Sequence, residues 1–216
     1  MKKSVDPISH SVKARWEEIF EKASAAYKAT HKQDLAQDED LEVPVKLKVS
    51  LEDLPHPCER VLLLPPDITM RQLHFFIQRS MGWKNAHLFE FCDNMDAPKT
   101  RVGMVFDDLE DTNPPTLDAH TVSFLPEFLP GVDRQAFYYL YDFGDHWVHK
   151  ITIQEPSKAE IEKFSGYPTC LGAVGKCPPE DVGSTGGYED FLEVVNDPDH
   201  SQYKYYRRWA GLRMKG

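Results

Sequence analysis

From residue 43 to residue 51, Val43, Val45, Leu47, Val49 and Leu51 alternate with mostly polar neighbours. A period of two buries one face of a strand and leaves the other wet, as in antiparallel sheets. A second short strand is expected over RVLLL (60–64), closed by Pro65 and Pro66. The period then lengthens. Leu73, Phe76, Ile77 and Met81 form an apolar stripe, and Thr69 with Gln72 matches a capping box, so a helix is predicted from Thr69 to Met81. Further strands are predicted at HLFEFC (87–92) and VGMVF (102–106). The acidic, proline-bearing stretch 107–118 reads as a loop, and TVSFLPEFL (121–129) as a short helix with a proline break.

The stretches AFYYLYDF (136–143) and WVHKITIQ (147–154) have strand composition and flank a turn around Gly144 and Asp145, which predicts a β-hairpin. On its second strand Trp147, His149, Ile151 and Ile153 share one face, so His149 is expected on the apolar side. Residues 167–191 are rich in Gly and Pro and read as a loop leading into two helices, roughly 188–195 and 198–210. Asp197 and Pro198 are expected to cap and open the second of these. Ahead of the first strand, Val12, Trp16, Ile19, Phe20, Ala23 and Tyr27 fall at helical spacing. Residues 31–42 carry five acids against one lysine. The expected organisation is a helical arm over 1–30, an acidic linker over 31–42 and one domain over 43–216. The fold class expected is α+β: an antiparallel sheet of about five or six strands with helices packed against it, plus the N-terminal helical arm.

Composition adds bulk constraints. Hydrophobic residues make up 41% of the 216, enough for a substantial core, and the formal net charge is −10. That charge disfavours coating of nucleic acid or anionic membrane, which relies on Lys and Arg. No apolar run follows the first lysines, and none reaches the roughly twenty residues of a membrane span, so a cytoplasmic protein with no membrane partner is expected. Cys58, Cys92, Cys170 and Cys177 are too few and too scattered for a disulfide framework and are expected as thiols.

Several stretches occur in a characteristic order: LHFFIQRSMGW, HLFEF, YLYDFGDHWVHKI, YPTCL, CPPEDVGSTGGYEDF and NDPDH. The series resembles the plasmid ORF-3-like family, whose relatives are also met as the TnpR-type passenger protein of an insertion element. The resemblance covers about residues 43–209, with the arm outside it. It implies an α+β domain on an antiparallel sheet and brings no established activity. Ser184 stands where the family usually has a second glycine after Gly183, so a gentler bend is expected there.

The hairpin tip and the PPED loop concentrate the chemistry. A binding surface is expected where they meet, made by Tyr141, Asp142, Asp145, Trp147, Glu180 and Asp181. Carboxylates beside exposed aromatics suit a Lys or Arg side chain of a protein partner. The plainer reading is that Asp142 and Asp145 bond backbone amides in the turn. The absence of a recognisable nucleophile–base or metal motif favours a non-enzymatic binding module with no cofactor.

Two alternatives stay open. A metal-dependent hydrolase would use zinc or another divalent metal, with His149, Asp145, Cys170 and Asp181 as ligands, although no HExxH or CxxC spacing occurs. His74 and His87 are further histidines that such a site could gather. A nucleic-acid-associated accessory protein of a mobile element would use the basic, aromatic tail, where Lys204, Arg207, Arg208, Arg213 and Lys215 interleave with tyrosines and Trp209. A phosphate site at DVGSTGGYED is disfavoured by the surrounding acids Glu180, Asp181, Glu189 and Asp190.

Overall fold

The computed structural model of the protein describes residues 43–105, 113–129, 132 and 136–213. The arm and linker expected over 1–42 lie outside them. Eight strands form one sheet: β1 (Val45–Leu51), β2 (Glu59–Leu64), β3 (Phe89–Cys92), β4 (Arg101–Gly103), β5 (Thr116–Asp118), β6 (Ala136–Tyr141), β7 (Trp147–Gln154) and β8 (Thr169–Val174). Their order across the sheet is β5-β4-β3-β6-β7-β1-β2-β8. Every pairing is antiparallel except β4 with β5. The sheet is therefore mostly antiparallel and larger than the five or six strands expected. The additional strands, β5 and β8, are its two edges, and they fall in stretches predicted as loops.

β1 carries out its sequence pattern: Val45, Leu47, Val49 and Leu51 are buried while Lys46, Lys48 and Ser50 are half-exposed. The same alternation on β7 buries Trp147, His149 and Ile151 and leaves Lys150 in water. Burying one face requires a second layer. It is supplied mainly by α1 (Met70–Met81), whose Leu73, Ile77 and Met81 join the strand residues in one apolar cluster.

Both ends of α1 are closed by local chemistry. Thr69 and Gln72 form the expected capping box. Gly82, at φ 87°, takes the left-handed turn in which its N–H and that of Trp83 reach the last carbonyls. Thr69→Ala is expected to cost about 1 kcal/mol, read as a lowered thermal midpoint. An unchanged midpoint would show that the cap contributes nothing net.

α2 (Lys158–Lys163) buries no side chain, and its Glu160 reaches across to Lys46 on the open face of the sheet. α3 (Ser184–Asn196) and α4 (Tyr203–Trp209) close the chain. The second helix of this pair starts later than expected. Asp197 ends α3 and its side chain accepts from the Asp199 N–H, so Asp197 and Pro198 form a turn rather than a helix start. Ser184 itself takes a left-handed φ of 64°, so the bend is made without the second glycine. Among the described residues no helix is long and apolar enough to cross a membrane.

Candidate functional site

At one end of the sheet three segments distant in sequence meet: the loop after α1 (Gly82–His87), the β6–β7 turn, and the segment before α3 (Cys177–Gly183). The turn is held by Asp142, whose Oδ1 accepts from the N–H groups of Gly144 (3.0 Å) and Asp145 (3.2 Å). Asp142 sits at φ 57°, a conformation that Asp tolerates better than most residues. The expectation that Asp142 serves the turn is met. Its other oxygen, Oδ2, lies 3.5 Å from His87 Nε2.

The third segment is fastened to the other two by polar contacts. Trp83 Nε1 donates to the Pro178 carbonyl (2.9 Å), and the Gly183 N–H donates to Asp145 Oδ2 (3.1 Å). Glu180 accepts from the Lys84 N–H (2.9 Å) and, through a short bond, from the Tyr141 hydroxyl. Burial first, and the bond to Glu180 second, push the Tyr141 phenol well above its ordinary pKa, so it stays a donor. His87 Nε2 lies 2.9 Å from Asp181 Oδ1. The hairpin tip and the PPED loop thus converge, and they do so around the α1–β3 loop.

Three of the expected surface residues are not at the surface: Asp142 is buried in the turn it holds, and two rings are turned inward. Tyr141 and Trp147 are 0% and 1% exposed. Tyr141 stacks on Trp83 with ring centroids 5.0 Å apart, and Trp147 lies beyond the same indole at 6.1 Å. They share the parity of Tyr139 and His149 on the buried face, which turns both rings inward. The accessible part of the junction is the carboxylate set: Asp145 and Glu180 are half-buried and Asp181 is exposed.

The ligand set His149, Asp145, Cys170 and Asp181 does not assemble. His149 is fully buried, its Nδ1–H pointing at the carbonyls of Tyr139 (3.2 Å) and Trp147 (3.1 Å), and its Nε2 has no partner among the described residues. Cys170 is exposed on the edge strand β8. Nor do three histidines meet, because His74 is spoken for within the core. Its Nε2 reaches Asn85 Oδ1 (2.6 Å), its Nδ1 faces the Tyr139 hydroxyl (2.8 Å), and its ring stacks on Phe89. Burial lowers the pKa of both His74 and His149 to about 4, so each is neutral near pH 7. Among the described residues one group of three could hold a cation: His87, Asp142 and Asp181, with ligand atoms within 4.8 Å of one another. His87 and Asp181 are 94 positions apart, so no local spacing announces the pair.

Beside the junction lies a groove of about 710 Å³, running from Trp83, Lys84 and the PPED loop to Phe191 on α3 and Trp209 on α4. Glu180 and Asp181 form part of its wall. The basic tail contributes less free charge than its sequence suggests. Arg207 is buried, donating to the carbonyls of Val195 (2.9 Å) and Arg213 and lying over the Tyr203 ring.

A family model described as "Plasmid pRiA4b ORF-3-like protein" matches residues 44–214, which include every residue of the junction and the groove. The chain belongs to this family. It is 37% identical over 167 residues to the uncharacterized protein y4hQ of Sinorhizobium fredii (strain NBRC 101917 / NGR234), covering 77% of this chain and 80% of that one. It also resembles a solved structure of a protein of unknown function, MM3350 from Methanosarcina mazei Go1. The TM-score is 0.63 at 29% identity, over 77% of this chain and 88% of that one. These relatives carry the ORF-3-like description or none, and the TnpR-type label is not supported.

Proposed function

We propose that this member of the ORF-3-like family is a non-enzymatic binding module that receives a Lys or Arg side chain of a protein partner at the junction and groove. One observation carries the reading: Asp142, Asp145, Glu180 and Asp181 come together from two distant segments, and the last two line a groove walled by aromatic rings. Carboxylates held by backbone amides are preorganised acceptors for a cation, and flanking aromatics shelter its aliphatic stem. The chain's net charge of −10 steers basic partners toward it.

The test is an amide-resolved NMR titration with an arginine-rich peptide against a glutamate-rich one of equal length. Shifts at Lys84, Glu180, Asp181 and Tyr188 are expected with the basic peptide alone, weakened about tenfold in Asp181→Asn and by high salt. Equal response to both peptides, or none at millimolar concentration, would overturn the reading.

The group His87–Asp142–Asp181 favours a second reading, a divalent-metal site. One imidazole and two carboxylates suit zinc, would neutralise its charge, and leave positions for water that the ion would activate for hydrolysis. Elemental analysis after zinc loading and desalting separates the two. Stoichiometric zinc lost in His87→Ala supports a metal site, whereas a metal-free protein that still binds the basic peptide returns to the first reading.

A further inference from the structure

Three residues before Glu180, on the same groove wall, the sulfur of Cys177 lies 3.1 Å from that of Cys58. The two residues are 119 positions apart and reach each other across a tight crossing of chains. Gly175 makes the crossing possible. It sits at φ +72°, and a Cβ there would lie 1.7 Å from the Pro57 carbonyl oxygen. Arg60 then pins the crossing. Its guanidinium donates to the carbonyls of Ser80 (2.6 Å), Glu59 (2.7 Å), Val174 (3.1 Å) and Gly175 (3.3 Å), and its Nη2 lies 3.2 Å from Cys177 Sγ. Cys58 is buried, while Cys177 is half-buried and lines the groove.

We infer that Cys58 and Cys177 form an oxidation site, closed by a hydroperoxide into an intrachain disulfide that fastens the segment carrying Glu180 and Asp181 to the β1–β2 loop. The alternative for clustered sulfurs is a soft metal ion, since Met81 Sδ also lies 3.1 Å from Cys177 Sγ. The fixed guanidinium decides against it, because a cation beside the sulfurs repels a metal and stabilises a thiolate. The hydrogen bond from Cys177 and the neighbouring Arg60 lower the Cys58 pKa, while the same shared proton raises that of Cys177. Cys92, by contrast, is pushed up to about 12 by burial, which leaves it inert.

The chemistry balances in two steps. At rest the shared proton favours Cys177. Its transfer across the 3.1 Å contact to Cys58 frees the Cys177 thiolate, which Arg60 stabilises and which attacks one peroxide oxygen. The O–O bond breaks, the sulfur becomes a sulfenic acid, and the departing alkoxide or hydroxide takes a proton from water. Cys58, once deprotonated, attacks Sγ of the sulfenic acid and expels hydroxide, which takes up the proton that Cys58 lost. Two thiols are oxidised by two electrons, one peroxide is reduced, and each sulfur moves by about half an ångström to reach bonding distance. The site is independent of which ligand the groove receives.

The test is peroxide treatment of the reduced full chain, followed by alkylation and peptide mapping under non-reducing conditions. A single Cys58–Cys177 cross-link is expected, reversed by dithiothreitol, with Cys92 and Cys170 still alkylated. A cross-link through exposed Cys170, a disulfide between chains, or full alkylation of all four thiols would overturn the inference. In Cys58→Ala, Cys177 is expected to stop at a sulfenic acid that dimedone labels, and labelling at another cysteine instead would also sink it. The wild-type map stands even where the variant folds poorly.

Discussion

Lowering the pH from 6.5 to 4 will remove about 3 kcal/mol of stability for each of two histidines, His74 and His149. The sign follows from where the protons go. Unfolded, both rings bind a proton near pH 6.5; folded, burial delays protonation until about pH 4. Between those values the unfolded chain holds more protons, so stability rises with pH. The contribution is complete above pH 6.5 and falls away as the pH drops toward 4. The buried carboxyl of Glu90, raised by desolvation, works the other way and blunts the loss at the acid end.

Guanidinium midpoints measured from pH 7.5 to 4.5 check this, and a flat profile would refute it. His149→Asn keeps an N–H at the position of Nδ1, where it can still reach the carbonyls of Tyr139 and Trp147. That variant should be weaker at pH 7.5 yet show about half the pH dependence. A loss of one or two kcal/mol more is large, because domains of this kind hold only about 5–15 kcal/mol in total.

Trp83→Ala should cost about 4 kcal/mol. The indole is nearly buried, stacks on Tyr141, and meets His149 edge-on at 5.3 Å. Removing it opens a cavity among rings that have no means of collapsing onto one another. Its Nε1 is also the tie to the Pro178 carbonyl. Trp83→Phe keeps most of the packing and loses that tie, for about 1–2 kcal/mol. Hydrogen exchange should therefore rise at residues 176–183 in the Phe variant while the strands stay protected. Equal protection throughout would mean that the other contacts of the PPED segment hold it without the Trp83 tie.

The sequence was most informative where an element buries one face. β1, α1 and the β6–β7 hairpin each show their period because water is excluded from only one side. β8 and α2 leave almost every side chain exposed, so no apolar rhythm marks them. Backbone pairing with β2 makes β8 a strand. At the site, Asp142, Asp145, Glu180 and Asp181 could be named from their motifs, since turn chemistry and the PPED series are local. His87 and Cys58 could not be assigned partners. Their partners are brought close by the sheet order, which no spacing encodes. The inward turn of Trp147 was already implied by its parity with His149, and the exposed reading of that ring set the alternation aside.

The strand order also dictates a timetable. β1 lies between β2 and β7, and Val49 is opposite Ile151, roughly a hundred residues later. A ribosome adds residues at about 5–20 per second, so the first hairpin emerges with both edges open. β2 must wait for β8, and β1 waits on the order of ten seconds for β7 on the other edge. α1 can cover the apolar face during that interval, but nothing made before β7 can satisfy the β1 edge. A chain released early, before residue 154, would leave the ribosome with the middle of its sheet still seeking a strand.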